Sequence, residues 1–193
     1  MLDTRVSLSM PLTVGASLVF VTSDPHAPQG SQVEEGVELR CASNSTGEGV
    51  LTTRSFESGE TVMVGFLVGS LEENDSHATQ VGPSSWARHG GLGTKVNHSC
   101  DPNCGVRLND GQAFDFVARE HIDAGQELTF DYAVRNFSID HFPEVCLCGA
   151  ERCRGSVTGW KDLTDAQKSD CGDLVAPYLL VMDNDVRTGR SAE

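Results

Sequence analysis

The chain has 193 residues, and 28 Asp plus Glu against 14 Lys plus Arg give it a formal net charge of −14 at pH 7. This length suggests one domain whose core needs no disulfides. The acidic balance argues against direct nucleic-acid binding, because phosphate contacts need clustered Lys and Arg, and it favours a basic partner. No apolar run reaches the about 18 residues that a membrane span requires, and the first ten residues are unlike a secretory signal. We therefore expect a soluble intracellular protein with no membrane attachment.

Strand patterns dominate the first half of the chain. An apolar run at 12–21 predicts one strand, and Val37–Cys41 alternates apolar and polar residues, which predicts another. The β-branched runs 50–56 and 61–68, separated by Glu-Ser-Gly-Glu, predict a hairpin. The polar, Gly-rich stretch 70–95 predicts mostly loop.

The second half adds a hairpin and a further strand. Apolar runs at 106–108 and 113–118 flank Asn-Asp-Gly, a strong hairpin turn. The segment ELTFDY at 127–132 alternates, so Phe130 and Tyr132 face the same side. Taken alone, this pair is better explained by core packing than by a site.

A helix is expected only near the end of the chain. Thr164 can cap its start, while Gly172 and Pro177 weaken it, and the last residues predict a disordered tail. Many short strands with one terminal helix indicate an α+β protein that is mostly β.

The cysteines give the strongest chemical signal. CLCGAERC places Cys146, Cys148 and Cys153 within eight residues. Structural zinc takes four Cys or His ligands in a tetrahedron, so a fourth ligand must come from elsewhere. The candidates are Cys100 and Cys104, with Cys41, Cys171 and His98 less favoured. The alternative is a set of buried, inert thiols.

A glycine motif, Gly47-Glu48-Gly49, follows a predicted strand. Glycine at such a place permits close approach of the backbone to a ligand, although an ordinary turn explains an isolated G-x-G equally well.

These motifs occur in the order G-x-G, NHSCDPN (97–103), ELTFDY, and C-x-C-x4-C followed by Arg-Gly. In this order they resemble the SET-domain family of protein lysine methyltransferases with a post-SET zinc motif, over residues 37–155. The resemblance implies a β-clip-like fold of small curved sheets, in which the ELTFDY segment threads the NHSC segment to form a pseudoknot. It divides the chain into an amino-terminal strand and linker (1–30), a SET core (31–137), a post-SET zinc segment (138–160), a carboxy-terminal helix (161–183) and a disordered tail (184–193).

The resemblance also implies roles for individual residues. The expected contacts of the cofactor S-adenosyl-L-methionine are the backbone of Gly47, Glu48 and Gly49, together with Asn97, His98 and, as a channel-closing aromatic, Trp160. Tyr132 matches the catalytic tyrosine. The expected ligands of structural Zn2+ are Cys100, Cys146, Cys148 and Cys153. Phe130 matches a position where the family carries Phe or Tyr, and Phe implies methylation beyond the monomethyl product.

The implied function is methylation of lysine in a basic protein or peptide, histone-like or ribosomal-protein-like, which docks along a sheet edge. Three features differ from the family, and one is the absence of the cysteine-rich region that precedes the SET core in histone enzymes. Thr94, Lys95 and Val96 replace its usual Arg-Phe pair, and Phe66 and Leu67 stand where a second channel tyrosine is common. The missing hydroxyl favours an alternative, a non-catalytic SET module that binds the cofactor or a partner. A zinc-stabilised interaction domain is a third hypothesis. The sequence gives no signal of oligomeric state.

Overall fold

The computed structural model describes residues 33–41, 47–73, 78–140 and 145–190. The strand predicted at 12–21 lies outside these ranges, so it stays a prediction, as do the boundaries drawn at 30, 137 and 160. None of the helices in the described ranges is both long and apolar enough to cross a membrane.

Eleven strands form three small sheets in the described ranges. They are β1 (Val33–Glu34), β2 (Val37–Cys41), β3 (Glu48–Thr52), β4 (Thr61–Met63), β5 (Leu67–Leu71), β6 (Thr79–Gly82), β7 (Ser85–His89), β8 (Asn97–His98), β9 (Cys104–Leu108), β10 (Phe114–Ala118) and β11 (Thr129–Phe130). The sheet orders are β1-β2-β3, β4-β10-β9-β11-β8 and β5-β7-β6. The mostly β prediction is confirmed.

The predicted Asn-Asp-Gly hairpin is confirmed as β9 and β10. The Asn109 side-chain oxygen accepts hydrogen bonds from the N–H groups of Gly111 and Ala113, which closes the turn. Phe114 and Phe116 on β10 are fully buried and form the centre of the hydrophobic core.

The hairpin predicted between 50–56 and 61–68 is wrong, because β3 pairs with β2 and β4 pairs with β10. The second run is also divided between β4 and β5. Gly65 lies at the break, where a Cβ would be 2.1 Å from the carbonyl oxygen of Phe114. Only glycine allows this close approach of two backbones.

The stretch predicted as loop, 70–95, instead contains β6, β7, the end of β5 and a 3₁₀ helix at Gly91–Lys95. Its pattern hides the strands because this sheet is largely exposed: Val68 on β5 is 63% exposed, whereas Thr79 and Gln80 on β6 are buried. Burial of polar residues and exposure of apolar ones removes the alternation that sequence analysis needs.

A threaded crossing builds the centre of the molecule. β11 lies between β8 and β9 and is parallel to both, although β8 and β9 follow each other along the chain. The connection 99–103 must therefore pass across β11, which is the expected pseudoknot. β11 is shorter than the predicted strand, because Asp131 caps a 3₁₀ helix at Tyr132–Val134 by accepting a hydrogen bond from the Ala133 N–H.

The carboxy-terminal end forms two helices, α1 (Asp165–Asp170) and α2 (Pro177–Thr188), instead of one helix over 161–183. Thr164 caps α1 as predicted, in a capping box with Gln167. The break spans Gly172, and Pro177 starts α2. Helix α2 continues five residues beyond the predicted start of the tail at 184 and ends at Gly189 with φ +68°.

Candidate functional site

Asn103, at the end of the NHSCDPN motif, holds the threaded strand in place. Its side-chain nitrogen donates to the carbonyl of Glu127 (2.8 Å), and its side-chain oxygen accepts from the Thr129 N–H (2.9 Å). The Ser99 N–H also donates to the Phe130 carbonyl (3.2 Å). These bonds fix the position of β11, and through it the two aromatic residues that follow.

Tyr132 lies between two rings and beside a backbone carbonyl. Its ring centroid is 4.8 Å from that of Phe130 and 5.1 Å from that of His98. Its hydroxyl donates to the carbonyl of Val96 (3.1 Å). Burial raises the pKa of Tyr132, with Arg135 acting in the opposite direction, so the phenol is neutral near pH 7. The two oxygens together can accept weak C–H contacts from a polarised methyl group.

His98 connects this tyrosine to the cysteine cluster. Its Nδ1 accepts from the Tyr132 backbone N–H (3.2 Å), while its Nε2 lies 3.4 Å from the Sγ of Cys100. Burial lowers the pKa of His98 to about 4, although Asp131 opposes the shift. In the neutral ring Nδ1 is then the acceptor, so Nε2 carries the proton and points it at the sulfur. The His98 side chain is fully used within the protein, and only its backbone remains for a cofactor.

Four thiols come together as a candidate metal centre. The Sγ atoms of Cys100, Cys146, Cys148 and Cys153 all lie within 4.8 Å of one another. The Cys100 and Cys146 sulfurs are 3.9 Å apart. Zinc–sulfur bonds of about 2.3 Å in a tetrahedron place sulfurs about 3.8 Å apart, so this donor set is compatible with structural zinc.

The structure separates the competing cysteines. Cys104 is fully buried on β9, Cys41 is exposed at the end of β2, and Cys171 donates its thiol to the carbonyl of Gln167 (3.3 Å). Backbone N–H groups of Arg154 and Gly155 instead point at the sulfurs of Cys100 and Cys153, both at 3.4 Å. Such donors suit thiolates.

Arg154 joins the cysteine segment to the tyrosine segment. Its terminal nitrogens form a bidentate pair with Asp131 at 2.6 and 2.9 Å, and the two side chains are only 12% and 7% exposed. Because Asp131 also caps the helix that Tyr132 begins, this ion pair connects the cysteine segment to that helix.

The glycine motif lies next to Asn97. The Asn97 side-chain nitrogen donates to the Glu48 carbonyl (2.9 Å) and to the Glu127 carboxylate (2.7 Å). Gly47 has φ +83° and open space on its Cβ side, whereas a Cβ at Gly49 would be 2.5 Å from a Glu127 oxygen. The structure therefore brings the predicted cofactor residues of both motifs together, and Gly49 is required by its protein neighbours.

Trp160 does not lie on this surface. It is 2% exposed, belongs to the hydrophobic core and starts a 3₁₀ helix at Trp160–Asp162. Its predicted contact with the cofactor has no support from this position, because the ring is covered by the protein itself.

A cavity of about 360 Å³ lies beside the cysteine cluster and α1. Its lining includes Arg119, Arg152 and Arg154 but neither Tyr132 nor the glycine motif. Each of these arginines has a carboxylate partner, respectively Asp170, Asp101 and Asp131. The cavity thus offers no unpaired charge to a ligand.

Sequence reasoning missed three residues near Phe130. The Arg135 guanidinium carbon lies 4.8 Å from the Phe130 ring centroid. The Tyr178 hydroxyl on α2 is 2.6 Å from the carbonyls of both Gln80 and Arg135, and His89 stacks on Phe114 with centroids 5.9 Å apart. No local pattern marks these residues, because three separate elements bring them together.

Residues 47–133 match the family model described as SET domain. The chain is similar to a histone-lysine N-methyltransferase, H3 lysine-36 specific, of Emericella nidulans (39% identity over 75 residues, 37% of this chain and 7% of the relative). It is also similar to the histone-lysine N-methyltransferase ASHH2 of Arabidopsis thaliana (35% over 100 residues, 50% of this chain and 6% of the relative). The chain spans at most about a tenth of the length of the first curated relatives it matches.

Among solved structures, the chain is similar to KRYPTONITE in complex with mCHH DNA, an H3(1–15) peptide and SAH. The identity is 23%, the TM-score is 0.48, and the match covers 63% of this chain and 29% of that one.

Proposed function

We propose, from the premise that this chain contains a SET domain, that it is an S-adenosylmethionine-dependent protein-lysine N-methyltransferase. The observation that carries the proposal is the Tyr132 hydroxyl, held 3.1 Å from the Val96 carbonyl at the threaded crossing. The named relatives are histone-lysine methyltransferases, which agrees with this function.

The proposed cofactor site consists of the backbone of Gly47, Glu48 and Gly49, the Asn97 side chain and the His98 backbone. Open space beside Gly47 fits a ligand there. The exposed pair of Lys95 and Glu48, 2.8 Å apart, offers both signs of charge to the zwitterionic end of an amino-acid derivative. When bound, the cofactor supplies a methyl group on a positively charged sulfur.

The residues of the chain then orient the reacting amine. A lysine ammonium, with an ordinary pKa near about 10.4, must first lose its proton to solvent. The amine lone pair forms the new N–C bond as the C–S bond breaks, and sulfur keeps that electron pair. The Tyr132 hydroxyl and the Val96 carbonyl border the reaction path, and alignment supplies much of the acceleration.

The four cysteines are proposed to hold zinc in a structural role. The ion would join the crossing loop that carries Cys100 to the segment 146–153. Asp131 and Arg154 already connect the same two regions, so the metal would stabilise the position of Tyr132 without entering the chemistry.

The proposed substrate is a basic, lysine-containing protein segment of the histone type. A formal net charge of −14 attracts such a segment and speeds its encounter with the protein. We place this reaction inside the cell, where thiols stay reduced. Phe130, fully buried, leaves the amine site apolar, which supports products beyond monomethyl.

The second candidate is a non-catalytic SET module that binds the cofactor or a partner. It is favoured by the absence of a hydroxyl at Phe66 and Leu67. Phe66 is 51% exposed and packs close to Gly90 and Gly91, so it does not replace the missing group.

One experiment separates these functions. The chain is incubated with radiolabelled S-adenosylmethionine and recombinant core histones, beside Tyr132→Phe, with Tyr178→Phe as control because the chain has only two tyrosines. We expect label on histones with the wild type and the control, and none with Tyr132→Phe. Cofactor binding by calorimetry without transfer would favour the module, and absence of both would favour the zinc-stabilised interaction domain.

A further inference from the structure

Arg135 is a half-buried residue whose guanidinium has two buried nitrogens without a hydrogen-bond acceptor in the described ranges. It follows the 3₁₀ helix that begins at Tyr132, and in the described part of the chain its Nε and Nη1 atoms are buried and have no acceptor. Its guanidinium lies over the ring of Phe130, which also packs against the rings of Tyr132 and Phe116. The charge is therefore about one ring away from the proposed amine site.

The groups around this charge are all neutral near pH 7. They come from four elements: Tyr132 from the 3₁₀ helix, Phe130 from β11, His89 from β7 and Tyr178 from α2. Burial raises the pKa of both tyrosines, and burial together with Arg135 lowers the pKa of His89 to about 3. Asp131 pairs with Arg154, and no carboxylate in the described ranges forms an ion pair with Arg135.

A buried charge without a partner is costly, because removal from water is not offset by an opposite charge. The fold could avoid this cost with an uncharged side chain of similar length. A positive charge held beside the Phe130 ring can act on a group bound next to that ring.

We propose that Arg135 is a positioning residue that keeps the substrate amine uncharged. The inference rests on the proposed function and concerns the same site. A positive charge near Phe130 and Tyr132 disfavours an ammonium ion there, so the lysine gives its proton to water and reacts as the neutral amine. The methylammonium product is disfavoured in the same way, so it too loses its proton to water before a further transfer.

The test compares Arg135→Met with Arg135→Lys and the wild type, with core histones as the substrate. We expect the acid limb of kcat, which reports groups in the bound complex, to move up by about one pH unit in Arg135→Met, because a single charge at this distance is removed. This is about a tenfold loss below the limb, with rates converging above it. Arg135→Lys should keep the wild-type limb, because the charge is restored.

Thermal unfolding provides a readout that does not depend on activity. We expect Arg135→Met to unfold at the same or a higher temperature than the wild type, because an unpaired buried charge is removed. Superimposed kcat profiles, or a clearly less stable Arg135→Met, would overturn the inference. A wild type that transfers no methyl group refutes the proposed function instead, and the stability comparison then decides whether Arg135 is a costly cation or a structural one.

Discussion

Arg154 and Arg135 both contact the segment that carries Tyr132, and their surroundings differ sharply. Arg154 pairs with Asp131 through both terminal nitrogens, in the threaded crossing where polar side chains hold one another. Arg135 lies among aromatic rings, and two of its nitrogens are buried without an acceptor in the described ranges. Arg154 has a carboxylate partner, whereas Arg135 contacts an aromatic ring and has no ion-pair partner in the described ranges. The first arrangement links two segments of the protein, and the second places a positive charge beside aromatic rings.

The largest effect should come from the metal centre. Cys146→Ser removes one of the four thiols, so we expect loss of bound zinc and of most of the folded protein at 37 °C, since structural zinc contributes about 10 kcal/mol or more to folding. Elemental analysis should find about one ion per wild-type chain. Cys41→Ser, an exposed thiol outside the cluster, is the control and should change neither quantity. A wild type without metal would contradict the site.

The buried ion pair should come second. Asp131→Asn leaves the Arg154 charge without a partner, and we expect a loss of about 3–5 kcal/mol in the free energy of unfolding, measured by denaturant titration. Asp101→Asn removes the partner of Arg152 in an exposed pair and should cost about 0–1 kcal/mol. Equal losses of unfolding free energy in the two variants would show that the Arg154–Asp131 pair is no more important to stability than the exposed Arg152–Asp101 pair.

The dependence of stability on pH should depend on His89, which lies beside Phe114. Burial, together with Arg135, lowers the pKa of His89 to about 3 from an unfolded value near 6.5, so the unfolded chain binds the proton first as the pH falls. Stability from this group is complete above about pH 6.5 and is lost progressively down to about pH 3, which amounts to about 2 kcal/mol between pH 7 and pH 5.

His89→Phe keeps a stacked ring against Phe114 and should remove that part of the pH dependence. The exposed His121 serves as the control, because Glu57 and Asp123 raise its pKa, so His121→Gln should not flatten the curve. If the dependence of unfolding free energy on pH is the same in His89→Phe and the wild type, the pKa of His89 is not lowered in the folded protein.

Phe130→Tyr should change stability least among these variants. It should instead change which methylated product is formed. A phenol at this position can hydrogen-bond a water molecule in the amine site, and that water obstructs a second methylation. Mass spectrometry of the methylated histones should show a shift toward the monomethyl product. An unchanged product distribution would show that Phe130 does not determine how many methyl groups are added.

Local sequence patterns found the parts of the fold that a turn or a helix cap defines. The β9–β10 hairpin followed from Asn109 and its glycine, and the cap of α1 followed from Thr164. The third sheet was missed because polar Thr79 and Gln80 are buried in it while Val68 is exposed. The partners of β3 and β4 were also predicted wrongly. The local sequence of these strands does not indicate that they pair with β2 and β10.

Local sequence patterns likewise predicted only some residues of the candidate site. The cysteine spacing predicted three members of the cluster, and the choice of Cys100 over Cys104 needed the resemblance, because the spacing left both open. Arg135 and His89 could not be found, because each is ordinary in its own segment and gains significance only from burial beside Phe130 and Phe114.

The crossing of 99–103 over β11 has a consequence for how the chain unfolds. Cys100 lies on the crossing loop, and the three remaining thiols follow β11 in the chain. A zinc ion bound by all four thiols would therefore link the chain before β11 to the chain after it. We expect the bound metal to slow the withdrawal of β11 from between β8 and β9.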